Sequence, residues 1–212
     1  VLTYRCPCCL RSSKCAASVH GPSYPIVDPY GDHALNCASG NAQRTQHWHD
    51  PVRDDFVMFG KMVGLPTRSE PAGMFPWSDE RPDCVCTTNS GVEIVTDVRT
   101  CCPVAMCASK PTSCANASHQ SGFAAAEGVL LKEIKWRQNC NYMGYRFVAI
   151  AIENGGLLSD TTLGLLDELT NRLPANDRLR FNTFARINLS ATIALGTARI
   201  IKELLPIRIG SD

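Results

Sequence analysis

The sequence has no apolar run long enough to cross a bilayer: its two longest apolar stretches, 163–173 and 187–205, are both broken by polar residues. It has almost no excess charge, a formal +1. A balance that close to zero neither requires nor excludes a polyanionic partner, because a basic groove can coexist with an acidic back face. It has no internal repeat and no low-complexity tract. The first residues, Val1-Leu2-Thr3-Tyr4-Arg5, lead straight into a cysteine-rich stretch and do not read as a signal peptide. No methionine opens the chain, so a fragment of something longer, or a processed chain, is expected. What is present is ordinary for a protein that buries a core: 212 residues, 44% of them hydrophobic and 19% charged. That length suits one good-sized domain with a small appendage.

Cysteine is abundant, with twelve in the chain. Cys84 and Cys86 fall in a strand-like run, where a thiol serves as a small buried residue, and Cys101-Cys102 are adjacent and awkward to pair. The expectation is an intracellular, reduced protein with one zinc site and incidental thiols. The zinc reading rests on Cys6-Pro7-Cys8-Cys9 and on Asp32-His33-Ala34-Leu35-Asn36-Cys37. Cys6, Cys9, His33 and Cys37 together offer three thiolates and one imidazole, a closed and therefore structural set for Zn²⁺. Cys8, Cys15 and His20 compete for places in it. A metal would supply the folding energy that a loop-dominated segment of this composition lacks.

Further along, residues 43–63 carry an amphipathic helical spacing, within which Asp50-Pro51 fits a cap and first position where the helix proper can begin, and 65–71 suits a short strand. Strands follow over 83–88 and 91–99, joined by the turn signal Thr88-Asn89-Ser90-Gly91. An irregular segment covers 101–119. A helix covers 121–138, a buried strand 145–152, and two more helices lie at 159–173 and 179–205. The two hairpin strands each deliver an aspartate, Asp83 and Asp97, to the same end. Two carboxylates held there suit Mg²⁺, or Mn²⁺, which keeps several of its waters. A lysine would complete such a centre by stabilising developing negative charge. Arg99 stands two residues beyond Asp97 but is a poor proton carrier. Lys132 and Lys135 share a face of the following helix, and either could reach the pair. Taken alone, both acids could equally be turn or ion-pair residues.

These motifs, in this order, resemble the C-terminal region of site-specific non-LTR retrotransposon and reverse-transcriptase-related proteins. There a zinc knuckle precedes a restriction-like endonuclease of the PD-(D/E)XK superfamily. Pro82-Asp83 with Asp97 resembles the family's PD…D. His49-Asp50-Pro51-Val52-Arg53-Asp54 resembles its His-Asn-x-x-Arg-Asp helix. Lys132-Glu133-Ile134-Lys135-Trp136 resembles its Lys-x-x-Lys-Tyr, and Glu153-Asn154-Gly155-Gly156 its Glu-x-x-Gly turn. The resemblance covers about residues 6–157.

It implies an α/β fold with a mixed central sheet flanked by helices in αβββαβ order. Its parts would be a zinc knuckle over 1–42, a nuclease core over 43–157 and a helical extension over 158–212. It implies Asp83 and Asp97 as Mg²⁺ ligands, Lys132 or Lys135 as the active-site lysine, and Cys6, Cys9, His33 and Cys37 on zinc; His49, Arg53, Arg81 and Arg99 are the expected nucleic-acid contacts beside it. The expected activity is metal-dependent nicking of double-stranded DNA in the nucleus, serving a reverse transcriptase and its RNA in a parent polyprotein. A zinc-stapled binding module on a degenerate nuclease fold is the second reading. A repair or resolvase-like nuclease acting alone is the third.

Overall fold

The computed structural model describes Leu35, residues 40–103 and residues 119–204. The proposed zinc ligands Cys6, Cys9, His33 and Cys37, and their competitors, lie outside the described residues. So does most of the segment expected to be irregular, 104–118.

A continuous helical run comes first: α1 (Asn41–Arg44), a π-helical turn (Thr45–His49) and α2 (Asp50–Met62). The helix therefore does not start at Asp50-Pro51, as its capping pattern suggests, but passes through it. Proline cannot donate to the preceding turn. A π turn, in which the Asp50 N–H reaches back to the Thr45 carbonyl, is the local rearrangement that accommodates Pro51. Next come β1 (Thr67–Ser69), β2 (Cys84–Thr87) and β3 (Glu93–Cys101), then α3 (Phe123–Met143), β4 (Arg146–Glu153), α4 (Asp160–Asn171) and α5 (Ala175–Leu204).

The strands form one mixed sheet in the order β1-β2-β3-β4. The β1–β2 and β2–β3 pairs are antiparallel. The β3–β4 pair is parallel, with α3 as the crossover that a parallel pair requires.

Alternation along the strands gives the sheet two faces. On one, Cys84, Cys86, Ile94, Val98, Ile150 and Ile152 pack against three helical elements. These are the entry helix (Trp48, Val52, Phe56, Phe59), α4 (Leu165, Leu166, Leu169) and α5 (Phe181, Ala185, Leu189, Ile193). On the other, Val85 and Val95 meet Trp136 and Cys140 of α3 and Met74 and Phe75 of the β1–β2 connection. The molecule is thus a mixed α/β structure with helices on both sides of a four-stranded sheet.

The C-terminal helices mainly cover the sheet, but Ile187, Ala191 and Ala194 of α5 stay exposed. Gly196 lets α5 cross the π turn closely, since a Cβ there would stand 2.1 Å from the His47 carbonyl oxygen. Among the described residues, no helix is long and apolar enough to cross a membrane.

Candidate functional site

The β2–β3 ladder ends at the pair Cys84↔Thr96. One more step would set Asp83 opposite Asp97 and the next would set Pro82 opposite Val98, and proline has no N–H to offer a ladder. The Val98 N–H goes instead to the Asp83 carboxylate, at 2.5 Å from Oδ2. This bond turns Asp83 over the end of the hairpin toward β3. Asp97, on the same strand face as Val95, lies at the α3 side, paired in register with Ala149 of β4. Both carboxyls are buried, and they hydrogen-bond to each other.

Helix α3 approaches this point closely because Gly128 has no side chain. A Cβ there would meet Cys101 Sγ at 2.6 Å and Ala151 Cβ at 3.4 Å. One turn later Lys132 forms an ion pair with Asp97 Oδ2. One turn after that, the Trp136 indole N–H donates to the same oxygen at 2.7 Å. Residues four apart share a helix face, so the two donors arrive as a unit.

From the opposite layer the π turn contributes His49, whose Nε2 lies 3.1 Å from Asp83 Oδ2 and whose Nδ1 lies 3.2 Å from Asp50 Oδ1. An imidazolium, donating from both nitrogens, satisfies both contacts.

The electrostatics follow from this packing. The hydrogen bond to Asp83 holds the His49 imidazole above its ordinary pKa, against the opposing effect of burial. Burial pushes Asp83 up, but hydrogen bonds from His49, Asp97 and the Val98 amide outweigh it and hold that carboxyl below the usual range. Burial pushes Asp97 up to about 6, helped by its hydrogen bond to Asp83 and by repulsion from it, with Lys132 pulling the other way. Two like charges this close do not both ionise readily, so below pH about 6 the pair keeps one proton, on the Asp97 side.

The structure separates the two lysines. Lys132 meets Asp97, whereas Lys135 is exposed, with Nζ 3.2 Å from Glu80 Oε1 and 4.5 Å from the centre of the Trp136 ring. His49, read from sequence as a nucleic-acid contact, faces Asp83. Arg53 is engaged by Asp50 at 3.1 Å, Asp54 at 3.0 Å and Glu70, and so braces α2 against the residues after β1. Arg81 and Arg99 are exposed. Sequence reasoning assigned Trp136 no role at the site, although its spacing of four from Lys132 was the available signal. It also left Glu153 unassigned. This buried carboxylate accepts the Ala125 N–H at 3.2 Å in the first turn of α3 and fixes the helix that carries Lys132.

The two aspartates offer hard oxygens with no thiolate among them, a donor set for a divalent cation that keeps its waters. Among the described residues, no group of three or more His, Cys, Asp and Glu side chains is arranged to hold a metal ion. A cation here would therefore be completed by water and by substrate oxygens. No protein-family model and no curated protein matches the chain.

Proposed function

We propose that Asp83, Asp97 and Lys132 are the catalytic centre of a metal-dependent DNA endonuclease built on a PD-(D/E)XK-type core. The observation that carries this reading is their convergence. Three side chains from the start of β2, the middle of β3 and the face of α3 meet at one buried point. There Lys132, Trp136 and His49 hold two carboxyls that would otherwise repel. Support also comes from the element order and from the antiparallel–antiparallel–parallel sheet.

Asp83 and Asp97 would hold Mg²⁺ or Mn²⁺, which would acidify the attacking water and offset charge on the scissile phosphate. The chain's own residues do the rest. His49 and the Val98 amide fix Asp83. Trp136 fixes Asp97. The Lys132 ammonium sits where it can stabilise negative charge developing on a phosphate oxygen. Exposed cations such as Arg81 and Arg99 would position the duplex through its backbone, which carries little sequence information. In this reading the nick supplies a 3′-hydroxyl to a reverse transcriptase of the parent protein in the nucleus, and the knuckle at 1–42 binds one structural zinc.

Plasmid nicking tests the centre. Purified protein with Mg²⁺ or Mn²⁺ is expected to convert supercoiled DNA to the open-circular form. Asp83→Ala and Asp97→Ala are each expected to abolish this without unfolding the chain. Zinc content tests the knuckle: one equivalent per chain is expected, and a Cys37→Ser protein that keeps all its zinc would remove that residue from the set.

One observation favours the second reading, a nucleic-acid or protein binding module. Each aspartate is already engaged by a cation of the protein itself, His49 or Lys132. Binding of DNA with no cutting under any divalent metal would decide for the module.

A further inference from the structure

On the α3 side Phe75 and Trp136 are buried and Tyr145 and Phe147 half-buried, but two aromatic side chains are exposed. Trp77 is 48% exposed and Tyr142 is 79% exposed. They lie edge to face, ring centres 5.0 Å apart and planes at 83°. Trp77 is anchored by its indole N–H, which donates to Asn139 Oδ1 at 3.3 Å, and by Phe75, 6.2 Å away. Phe75 in turn stacks, tilted, on Trp136 at 5.4 Å, and Trp136 holds Asp97. A line of aromatic contacts therefore runs from the carboxylate pair to the surface. The buried members fix the exposed ones. One cation lies on the line, Lys135 over the Trp136 ring and paired with Glu80, and Arg81, two residues before Asp83 in the chain, is exposed.

We infer that Trp77 and Tyr142 form a stacking platform for an unpaired base of the strand held at Asp83 and Asp97. The substrate at this site is then single-stranded or locally opened DNA rather than a regular duplex. This rests on the nuclease reading and adds the state of the substrate to it. A duplex hides its base faces in its own stack. An unpaired base presents a face to any aromatic ring of suitable placement, whatever its identity. Rings alone would suit a protein partner as well. What favours a nucleic-acid strand is the combination of rings with the Lys135 ammonium on the line and the direct packing route to the carboxylates.

The test is fluorescence anisotropy of a labelled oligo(dT) and of a blunt duplex, both in EDTA, so that cutting plays no part. Tyr142→Ala and Trp77→Ala are each expected to weaken binding of the single strand by about five- to a hundredfold and binding of the duplex by less than about twofold. Trp77→Phe, which keeps a ring, is expected to recover most of the loss. Trp77 lies in the segment leading to Asp83, so its truncation could disturb the fold. Tyr142, exposed on a helix and touching only the exposed Trp77 ring among the aromatics, supplies the variant that leaves the buried packing alone.

Equal losses on both DNAs would overturn the platform. So would no loss on either, the result expected if this face binds protein, or a wild type that binds only duplex. The nuclease reading is scored separately by plasmid nicking. Nicking retained with unchanged oligo(dT) binding in the Tyr142→Ala protein sinks the platform alone. The expected binding losses in a protein that never nicks sink the nuclease and leave the platform standing.

Discussion

The two faces of the sheet use the same four strands in opposite ways. Toward α2, α4 and α5 the strands show Ile94, Val98, Ile150 and Ile152 to a broad apolar layer that includes Phe56, Phe59, Leu166, Leu189 and Ile193. Toward α3 they show a much smaller apolar set, Val85 and Val95 with Trp136, Cys140 and Phe75, and beside it the buried Asp97. Burying apolar area stabilises at roughly 25 cal/mol per Å². Burying a carboxyl costs free energy unless it is hydrogen-bonded or paired. The α3 face therefore gives up packing to hold charge, and the opposite face supplies the stability that makes this possible. Residues that oppose folding at one place and are fully partnered there mark a functional site more sharply than any of the apolar positions do.

If that division holds, mutations on the two faces separate activity from stability. The largest effect is expected from Lys132→Ala. Nicking should fall by about a hundredfold to a thousandfold, the loss seen when a donor to developing negative charge is removed. Lys135→Ala, one turn away on an exposed surface, should change nicking by less than about threefold, since an exposed pair is worth roughly 1 kcal/mol or less. Equal losses from both would mean that Lys132 has no special place at Asp97.

The opposite result is expected across the sheet. Phe59→Ala removes a fully buried ring and should lower unfolding free energy by about 3–5 kcal/mol in denaturant titrations, while the remaining folded protein nicks normally. Between them stands Gly128→Ala, where packing and site meet. The new methyl overlaps Cys101 Sγ, so either the buried Cys101 side chain turns away or α3 shifts outward. A loss of about 1–3 kcal/mol is expected, together with a nicking defect, because the same helix carries Lys132.

Much of this division was legible in the sequence, and the parts that were not have physical reasons. The strands at β2, β3 and β4 announce themselves through short apolar runs and a turn signal, and α3 through its composition. Asp83 and Asp97 are readable because register in a short hairpin is fixed by its turn. Which lysine reaches them is not readable. That depends on how closely and at what rotation α3 crosses the sheet, which Gly128 and Ala151 decide by being small. The helix start at Asp50-Pro51 misleads because proline is a favoured first residue of a helix, yet a π turn lets a helix run through it. His49 was placed on the substrate for the same reason: only the wider turn swings its ring to Asp83. Arg53 looks like a phosphate contact until the chain folds Glu70 beside it.

The last effect expected is a stability difference that appears only as pH changes, and it probes the cost of the α3 face directly. Burial and the neighbouring Asp83 raise the Asp97 carboxyl to about 6. A carboxyl raised in the folded state binds its proton more tightly there than in the unfolded chain. Its contribution is therefore complete below the unfolded value near 4, and it is lost as pH rises through 6. Asparagine cannot ionise but can still donate to Asp83, as the protonated carboxyl does. Metal-free Asp97→Asn protein should therefore match the wild type at pH 4 and exceed it at pH 7 by no more than about 3 kcal/mol, the free-energy equivalent of roughly two pH units. Urea titrations in EDTA at the two pH values measure this. A difference that stays flat from pH 4 to 7 would show that Lys132 keeps Asp97 ionised throughout. The pair would then hold two charges rather than one proton, and the site would be stable without a metal to neutralise it. A difference that opens between those values would show the reverse: at neutral pH the α3 face carries a charge that the fold alone does not fully compensate, which is the condition under which a divalent cation gains most by binding there.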